Sequence, residues 1–242
     1  MSATASAVSQ TVQRGRSDRW FFGGMGVAAA VTVFVGFAPT YFLKDLLGGP
    51  PLTPLRHVHG FLFTSWIILF IAQTSLIAAR HVDVHRRLGV AGGVLAGMMV
   101  AAGTALAVEV VRRGVAPPGV GSVEAFFAVP IGDMLMFGGL VACGLYYRRK
   151  PEMHKRLMLL ATIGILDAAI ARWPLVAGTG PLVFFGLTDL FIVAAWLYDF
   201  RTRGKVHPAF LCGGLALIAS QPLRLFVAGT DAWLAFARWV AS

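Results

Sequence analysis

Charge is scarce in this chain. Asp, Glu, Lys and Arg make up only 13% of its 242 residues, against 57% hydrophobic, and the mean hydropathy is +0.73. Such a composition lacks the polar surface of a water-soluble globule and marks a membrane protein. Cysteine is nearly absent. Cys143 and Cys212 are the two, both inside apolar runs, and there is no CxxC or CxxCH. That excludes a disulfide framework and covalent attachment of a c-type haem, and leaves each cysteine as a small apolar residue. Long polar connections are missing too, so there is no room for a soluble domain. The longest, "RRGVAPPGVGSVE", reads as a surface turn rich in Gly and Pro.

What the chain has is apolar runs of bilayer length, roughly 20 residues each. They cover Trp20 to Leu43, His57 to Ala79, Leu88 to Val108, Ala125 to Tyr147, Leu157 to Val176, Pro181 to Phe200 and Pro208 to Ala228. None alternates with period two, which excludes barrel strands, and backbone polar groups in lipid must then be paired within helices. The sequence predicts an all-α polytopic bundle of seven transmembrane helices over residues 20–228. Residues 1–19 form a flexible cytoplasmic N-terminus and residues 229–242 an interfacial C-terminal helix. The first run is too long for a signal-peptide core and has no small-residue cleavage site, so it reads as a retained span.

The formal net charge of +10 would suit nucleic acid, but its placement gives a different meaning. Of the 21 Lys and Arg, 14 fall on the face that carries the N-terminus (Arg14, Arg16, Arg19, Arg80, Arg86, Arg87, Arg148, Arg149, Lys150, Lys155, Arg156, Arg201, Arg203 and Lys205) and 7 elsewhere. The positive-inside rule puts the N-terminus in the cytoplasm and the C-terminus outside. The expected partner is the lipid bilayer, here a bacterial inner membrane, and not nucleic acid. The closing "DAWLAFARW" spaces Trp233, Phe236 and Trp239 on one helical face, suited to the outer interface.

One internal repeat carries chemistry. "RHVDVHRRL" (Arg80 to Leu88) and "RKPEMHKRL" (Arg149 to Leu157) align without a gap, and each opens an outward-running helix. A weaker echo, "GKVHPAFL", places His207 at a third such start. The repeat has a structural explanation, an acid (Asp83 or Glu152) capping the first turn with bases against lipid headgroups. It also has a ligating one, since His85 and His154 stand at equivalent depths on different helices, as axial ligands do in a bundle.

Ionisable groups inside the spans are costly and default to functional candidates. At ~1.5 Å per residue, Asp133 and Asp189 lie about a third of the way in from the outer side and Asp167 near the middle; Arg172, Gln221 and Arg224 fall in the outer third. Asp133, with no basic partner in its own helix, is the first catalytic candidate and Asp167 the second. His57 and His59 point about 200° apart on a helix. His59 shares a stripe with Phe63, Trp66, Phe70 and Gln73 that should face the bundle, which makes His59 and Asp133 a possible metal pair. A structural hydrogen bond is the alternative role for His59. Arg172 and Asp189 are expected to form an ion pair. Gly89, Gly93 and Gly97 strip one face of the third span, which suits close helix packing or a flat cofactor.

The stretches "PLRHVHGFLFTSWIILFIAQTSLIAARHVDVHRRLGVAG", "VPIGDMLMFGGLVACGLYYRRKPEMHKRLMLLATIGILDAAIARWP", "FFGLTDLF" and "KVHPAFLCGGLALIASQPLRL" resemble a group of bacterial polytopic membrane proteins, across almost the whole chain. That resemblance implies fold and location but no reaction. A looser one, confined to the second to fifth spans, is to the transmembrane b-type cytochromes that pass electrons from ascorbate. It implies haem b held by His85 and His154 near the cytoplasmic face. The chain departs from that pattern at the other face, where the fourth span offers Asp133 and no histidine. The leading expectation is a haem- or metal-dependent membrane redox protein, with a small molecule or quinone as electron partner. The alternative is a proton-coupled transporter or channel using Asp133, Asp167 and Asp189. A hydrolase ranks last for want of a nucleophile near a histidine, and a receptor would rest on helix number alone.

Overall fold

In a computed structural model that describes residues 2–49, 51–116, 119 and 121–242, and side chains from Gly15 onward, the chain is all helical. Three residues of the loop read as a surface turn (117, 118 and 120) lie outside the described residues. The helices are α1 (Ser2–Phe37), which ends in a π-helical turn (Ala38–Phe42), α2 (Pro54–Ala78), α3 (Val82–Arg113), α4 (Val123–Phe126), α5 (Ala128–Tyr146), α6 (Pro151–Ile163), α7 (Asp167–Ile170), α8 (Pro181–Arg203), α9 (Pro208–Ala228) and α10 (Asp231–Ala241). The polar residues ahead of Trp20 continue α1 in the same helix.

The helix starts follow from local chemistry. Proline opens α2, α6, α8 and α9, at the one place where its missing N–H costs nothing. Side chains of Thr53, Ser122 and Thr230 accept from the first-turn amides of α2, α4 and α10. Gly114 and Gly204 close α3 and α8 in the left-handed conformation.

Six helices are long and apolar enough to cross a membrane: Gly15–Phe42, Pro54–Ala78, Val82–Arg113, Val123–Tyr146, Pro181–Arg203 and Pro208–Ala228. The bundle is apolar on its outside and holds its buried charge inside. Phe61, Val90, Leu135, Leu182 and Phe226 are all more than half exposed, whereas Arg156 and Asp199 are fully buried. This distribution suits hydrocarbon, not water.

The segment expected as a span over Leu157 to Val176 is instead broken. Helix α6 stops at Gly164, a short turn follows, and the Asp167 side chain accepts from the Ala168 amide at 2.6 Å to start the single turn of α7. The 13 residues of α6 reach about 20 Å, short of a bilayer core. Irregular backbone at this depth is tolerated only inside protein, and this is the most enclosed part of the chain, with Leu159 to Ala161, Ile163, Leu166, Ala169 and Ile170 all nearly inaccessible. It is wrapped by α1, α5, α8 and α9. A Cβ at Gly36 of α1 would strike the Ala169 backbone carbonyl, so only glycine lets α1 and α7 touch. Gly36→Ala is expected to cost about 1–3 kcal/mol through overpacking, read as a lower unfolding temperature in detergent; an unchanged temperature would mean that the contact relaxes freely.

At the other end of the chain, α10 packs on the ends of α3 and α4. Trp233 Nε1 donates to the Glu124 carbonyl at 2.9 Å and Arg112 Nε to the Val240 carbonyl at 2.9 Å, while Phe236 and Trp239 remain exposed.

Candidate functional site

The two histidines of the internal repeat meet. Helices α2–α3 and α5–α6 are antiparallel hairpins joined by a broad α3–α5 contact, so the first turns of α3 and α6 come side by side. The rings of His85 and His154 have centroids 6.2 Å apart and planes crossed at 82°. His154 Nδ1 is hydrogen-bonded to the Gly144 carbonyl at 2.8 Å. A ring held this way donates Nδ1–H to the carbonyl and leaves Nε2 with its lone pair, the tautomer that a metal requires. His85 Nδ1 is buried without a partner, and its backbone carbonyl accepts from Gln73 Nε2 at 3.3 Å.

The donor count limits what this pair can hold. Among the described residues no group of three or more His, Cys, Asp or Glu side chains is gathered at one point. A bare divalent ion asks the protein for three or four ligands. Two imidazoles suit a macrocycle that brings the remaining nitrogens itself. Ring centres 6.2 Å apart are far enough apart for one iron bonded at about 2 Å to a nitrogen of each ring. In donor type and spacing, His85 and His154 are the residues that would hold a haem. Beside them, α3 carries Gly89, Gly93 and Gly97 at steps of four; a Cβ at Gly97 would meet nothing within 4 Å, one at Gly89 only the Gln73 amide at 3.6 Å, and one at Gly93 only Leu145 at 3.4 Å.

A charged network closes the same end of the bundle. Arg156, 0% exposed, forks onto Asp199 at 2.9 and 2.5 Å and reaches Glu152 at 2.8 Å. Asp199 also accepts from the His207 amide at 3.0 Å. Arg203 bonds Glu152, and Lys155 bridges Glu152 and Asp18, both at 2.7 Å. His207 Nδ1 accepts from the Ala209 amide at 3.1 Å, so this third histidine caps α9; burial, then the Arg156 charge, pushes its ring below the ordinary imidazole range. Burial alone would raise the Glu152 carboxyl, but hydrogen bonds and charge from Lys155 and Arg156 outweigh it and hold the group at about 2 against an ordinary 4.5. A depressed carboxyl stabilises the fold fully above its unfolded value and loses that contribution as pH falls towards its folded value. Unfolding temperature should therefore drop between about pH 4.5 and pH 2, and Glu152→Gln should flatten that drop; identical profiles would show that Glu152 does not anchor the network.

Asp133 and Asp167 also come together, on a partner that the sequence reading left unassigned. Both are buried, and both face Arg224 of α9: Nη1 bonds Asp133 and lies 3.8 Å from Asp167, while Nη2 donates to Ser220 at 3.0 Å. The two carboxyl groups thus face the same guanidinium nitrogen. Gly132 makes room, since a Cβ there would strike the Arg224 side chain.

His59 and Asp133 are not joined. Among the described residues no hydrogen bond or ion pair links them; His59 stacks on Phe63 with centroids 4.0 Å apart, its Nδ1 is buried without a partner, and the charge acting on it is the cation Arg172. The His59 stripe does face the bundle, with Trp66 donating to Thr162 at 3.2 Å. The expected Arg172–Asp189 ion pair does not form. Asp189 accepts from Gln221 Nε2 at 2.8 Å. The break before α7 turns Arg172 towards α1, where it bonds the Ala168 carbonyl and lies over the Phe37 ring at 4.7 Å.

Scans against protein-family models, curated proteins and solved structures find no match to this chain.

Proposed function

We propose that this chain is a haem-dependent electron-transfer protein of the bacterial inner membrane, with haem b held between His85 and His154. The observation that carries the reading is the pair itself: two imidazoles from equivalent turns of a repeated hairpin, with ring centroids 6.2 Å apart and one Nδ1 fixed on a backbone carbonyl. Haem held there would supply a one-electron couple. The protein's part is to fix both rings before loading. The Gly144 carbonyl keeps the His154 lone pair on Nε2, and the α2–α3 and α5–α6 packing sets the spacing of the two helix starts. One turn on from His85, Gly89 presents no side chain to the pair's side of α3. The electron partner in this reading is a membrane-soluble quinone or a small-molecule reductant, in keeping with a bundle that is apolar on its outside.

The absorption spectrum of the detergent-purified protein, oxidised and dithionite-reduced, tests this reading. Roughly one haem per chain with a sharp reduced α-band is the expected result. A colourless preparation from haem-replete cells would overturn it and favour proton-coupled transport.

The same reading places the N-terminus and the basic end in the cytoplasm and the C-terminus outside, with the broken α6–α7 segment completing a seventh crossing. In a chain first freed of Cys143 and Cys212, which are both exposed thiols, a cysteine at Ser122 should label only from outside and one at Thr202 only from inside. The reverse pattern would invert every side assignment.

A further inference from the structure

A second site lies towards the other end of the bundle and does not depend on haem. On α5, Asp133 stands 11 residues before Gly144, the residue that holds His154, or about 16 Å along the helix. Asp133 of α5 and Asp167 of α7 are 6% and 3% exposed, and Arg224 of α9 is 7% exposed. Two carboxyl groups thus share one guanidinium in a setting without bulk water.

Two ionised carboxylates do not settle against one guanidinium nitrogen in such a setting. Their repulsion is stronger at low dielectric than in water, and one guanidinium neutralises only one of them. One proton on the pair removes both problems: it ends the repulsion between two like charges and leaves one carboxylate to balance Arg224. The other charged and titratable groups nearby do not replace it. Asp189 of α8 is turned to Gln221. Arg172, also on the α7 side, bonds the Ala168 carbonyl and makes no ion pair to Asp167 among the described residues, so its charge reaches Asp167 only from beyond contact distance. From α9, Ser220 accepts from Arg224.

Two further observations mark the place as a site and not a packed ion pair. Arg224 Nε is buried without a partner, so the guanidinium keeps an unused donor. Beside it is a cavity of about 10 Å³ lined by Gly164, Asp167, Thr188, Gln221 and Arg224 among others. That is about the room one water needs, with polar groups enough to bind it. It connects the carboxyl pair to Gln221 and, through it, to the half-exposed Asp189.

We propose that Asp133 and Asp167 form a membrane-embedded proton-binding site, in which the two carboxyl groups hold one exchangeable proton against Arg224 and exchange it through a water in the adjoining cavity. Gaining or losing that proton changes the charge of the bundle interior by one unit without breaking the Arg224 contact. Coupling of this kind belongs to the pair and not to either aspartate alone.

Infrared difference spectroscopy on the full chain in nanodiscs at neutral pH tests it. The wild-type-minus-variant spectra for Asp133→Asn and for Asp167→Asn should each contain the C=O stretch of one carboxylic acid, at the same position and shifted by exchange into deuterium oxide. Either substitution leaves one carboxylate to pair with Arg224, so both erase the same single proton. Both leave the charge of the interior as it is in the protonated pair, and insertion should survive. Asp133→Glu and Asp167→Glu keep both acids and should move the band without removing it, which gives a readout even where an Asn variant does not insert. The proposal is overturned if the wild type has no such band, if either Asn difference lacks it, or if the Glu variants leave its position unchanged.

Discussion

His85→Ala and His154→Ala are each expected to reduce bound haem from about one per chain to essentially none, with the protein still inserted. Among the described residues the site offers two donors and no third, so losing one imidazole leaves a single ligand. His207→Ala should retain full haem content, because that side chain caps α9. His59→Ala should retain it too, since its ring stacks on Phe63 near Arg172. Haem absorbance per protein, measured on the four purified variants, checks all of these together. Loss in the His59 variant with retention in the His85 variant would move the cofactor to the other end of the bundle.

The second large effect is expected at Arg156. Its side chain is fully enclosed and bonds Asp199 through two nitrogens, and Asp199 is itself 0% exposed. Arg156→Met would leave a buried carboxylate with the His207 amide and, as its remaining ion-pair partner, Arg203 at 3.5 Å, and breaking one side of such a pair costs roughly 3–5 kcal/mol. Replacing both residues by apolar ones of similar volume should recover most of the loss, because the desolvation of both charges disappears with them. Thermal unfolding of the single and double variants measures this. If Arg156→Met is as stable as the wild type, or if the double variant is as poor as the single, the network is not what joins α6 to α8 and α9.

Much of the architecture was legible because the bilayer imposes it. Apolar runs of about 20 residues must be helices, and proline at the first helical position marked several boundaries. The broken fifth segment was not legible. "LMLLATIGILDAAIARWP" is apolar over a bilayer's length, and hydropathy does not distinguish a helix surrounded by lipid from one surrounded by protein. Gly164 and Asp167 were the local signals of its break. The repeat made the meeting of His85 and His154 readable, since equal depth on two joined hairpins leaves little freedom. Their facing geometry required the α3–α5 contact, which no pattern within either helix encodes. The Arg224 contact with Asp133 was missed for a similar reason: a partner 91 residues away is invisible to a search within one helix, although equal depth from the same end was a usable hint. Arg156 was counted with the surface bases because it sits in a basic cluster, whereas its partner Asp199 precedes a second such cluster, "DFRTR".

Electron paramagnetic resonance of the ferric protein tests the central claim most directly. Two axial imidazoles whose planes cross near a right angle perturb the two iron dπ orbitals almost equally and keep them nearly degenerate, which spreads the g values of low-spin iron. With ring planes at 82°, the expected spectrum is that of a low-spin bis-imidazole haem with one unusually large g value. A high-spin signal, or no haem signal in protein prepared from haem-replete cells, would contradict the assignment of His85 and His154 as an axial pair.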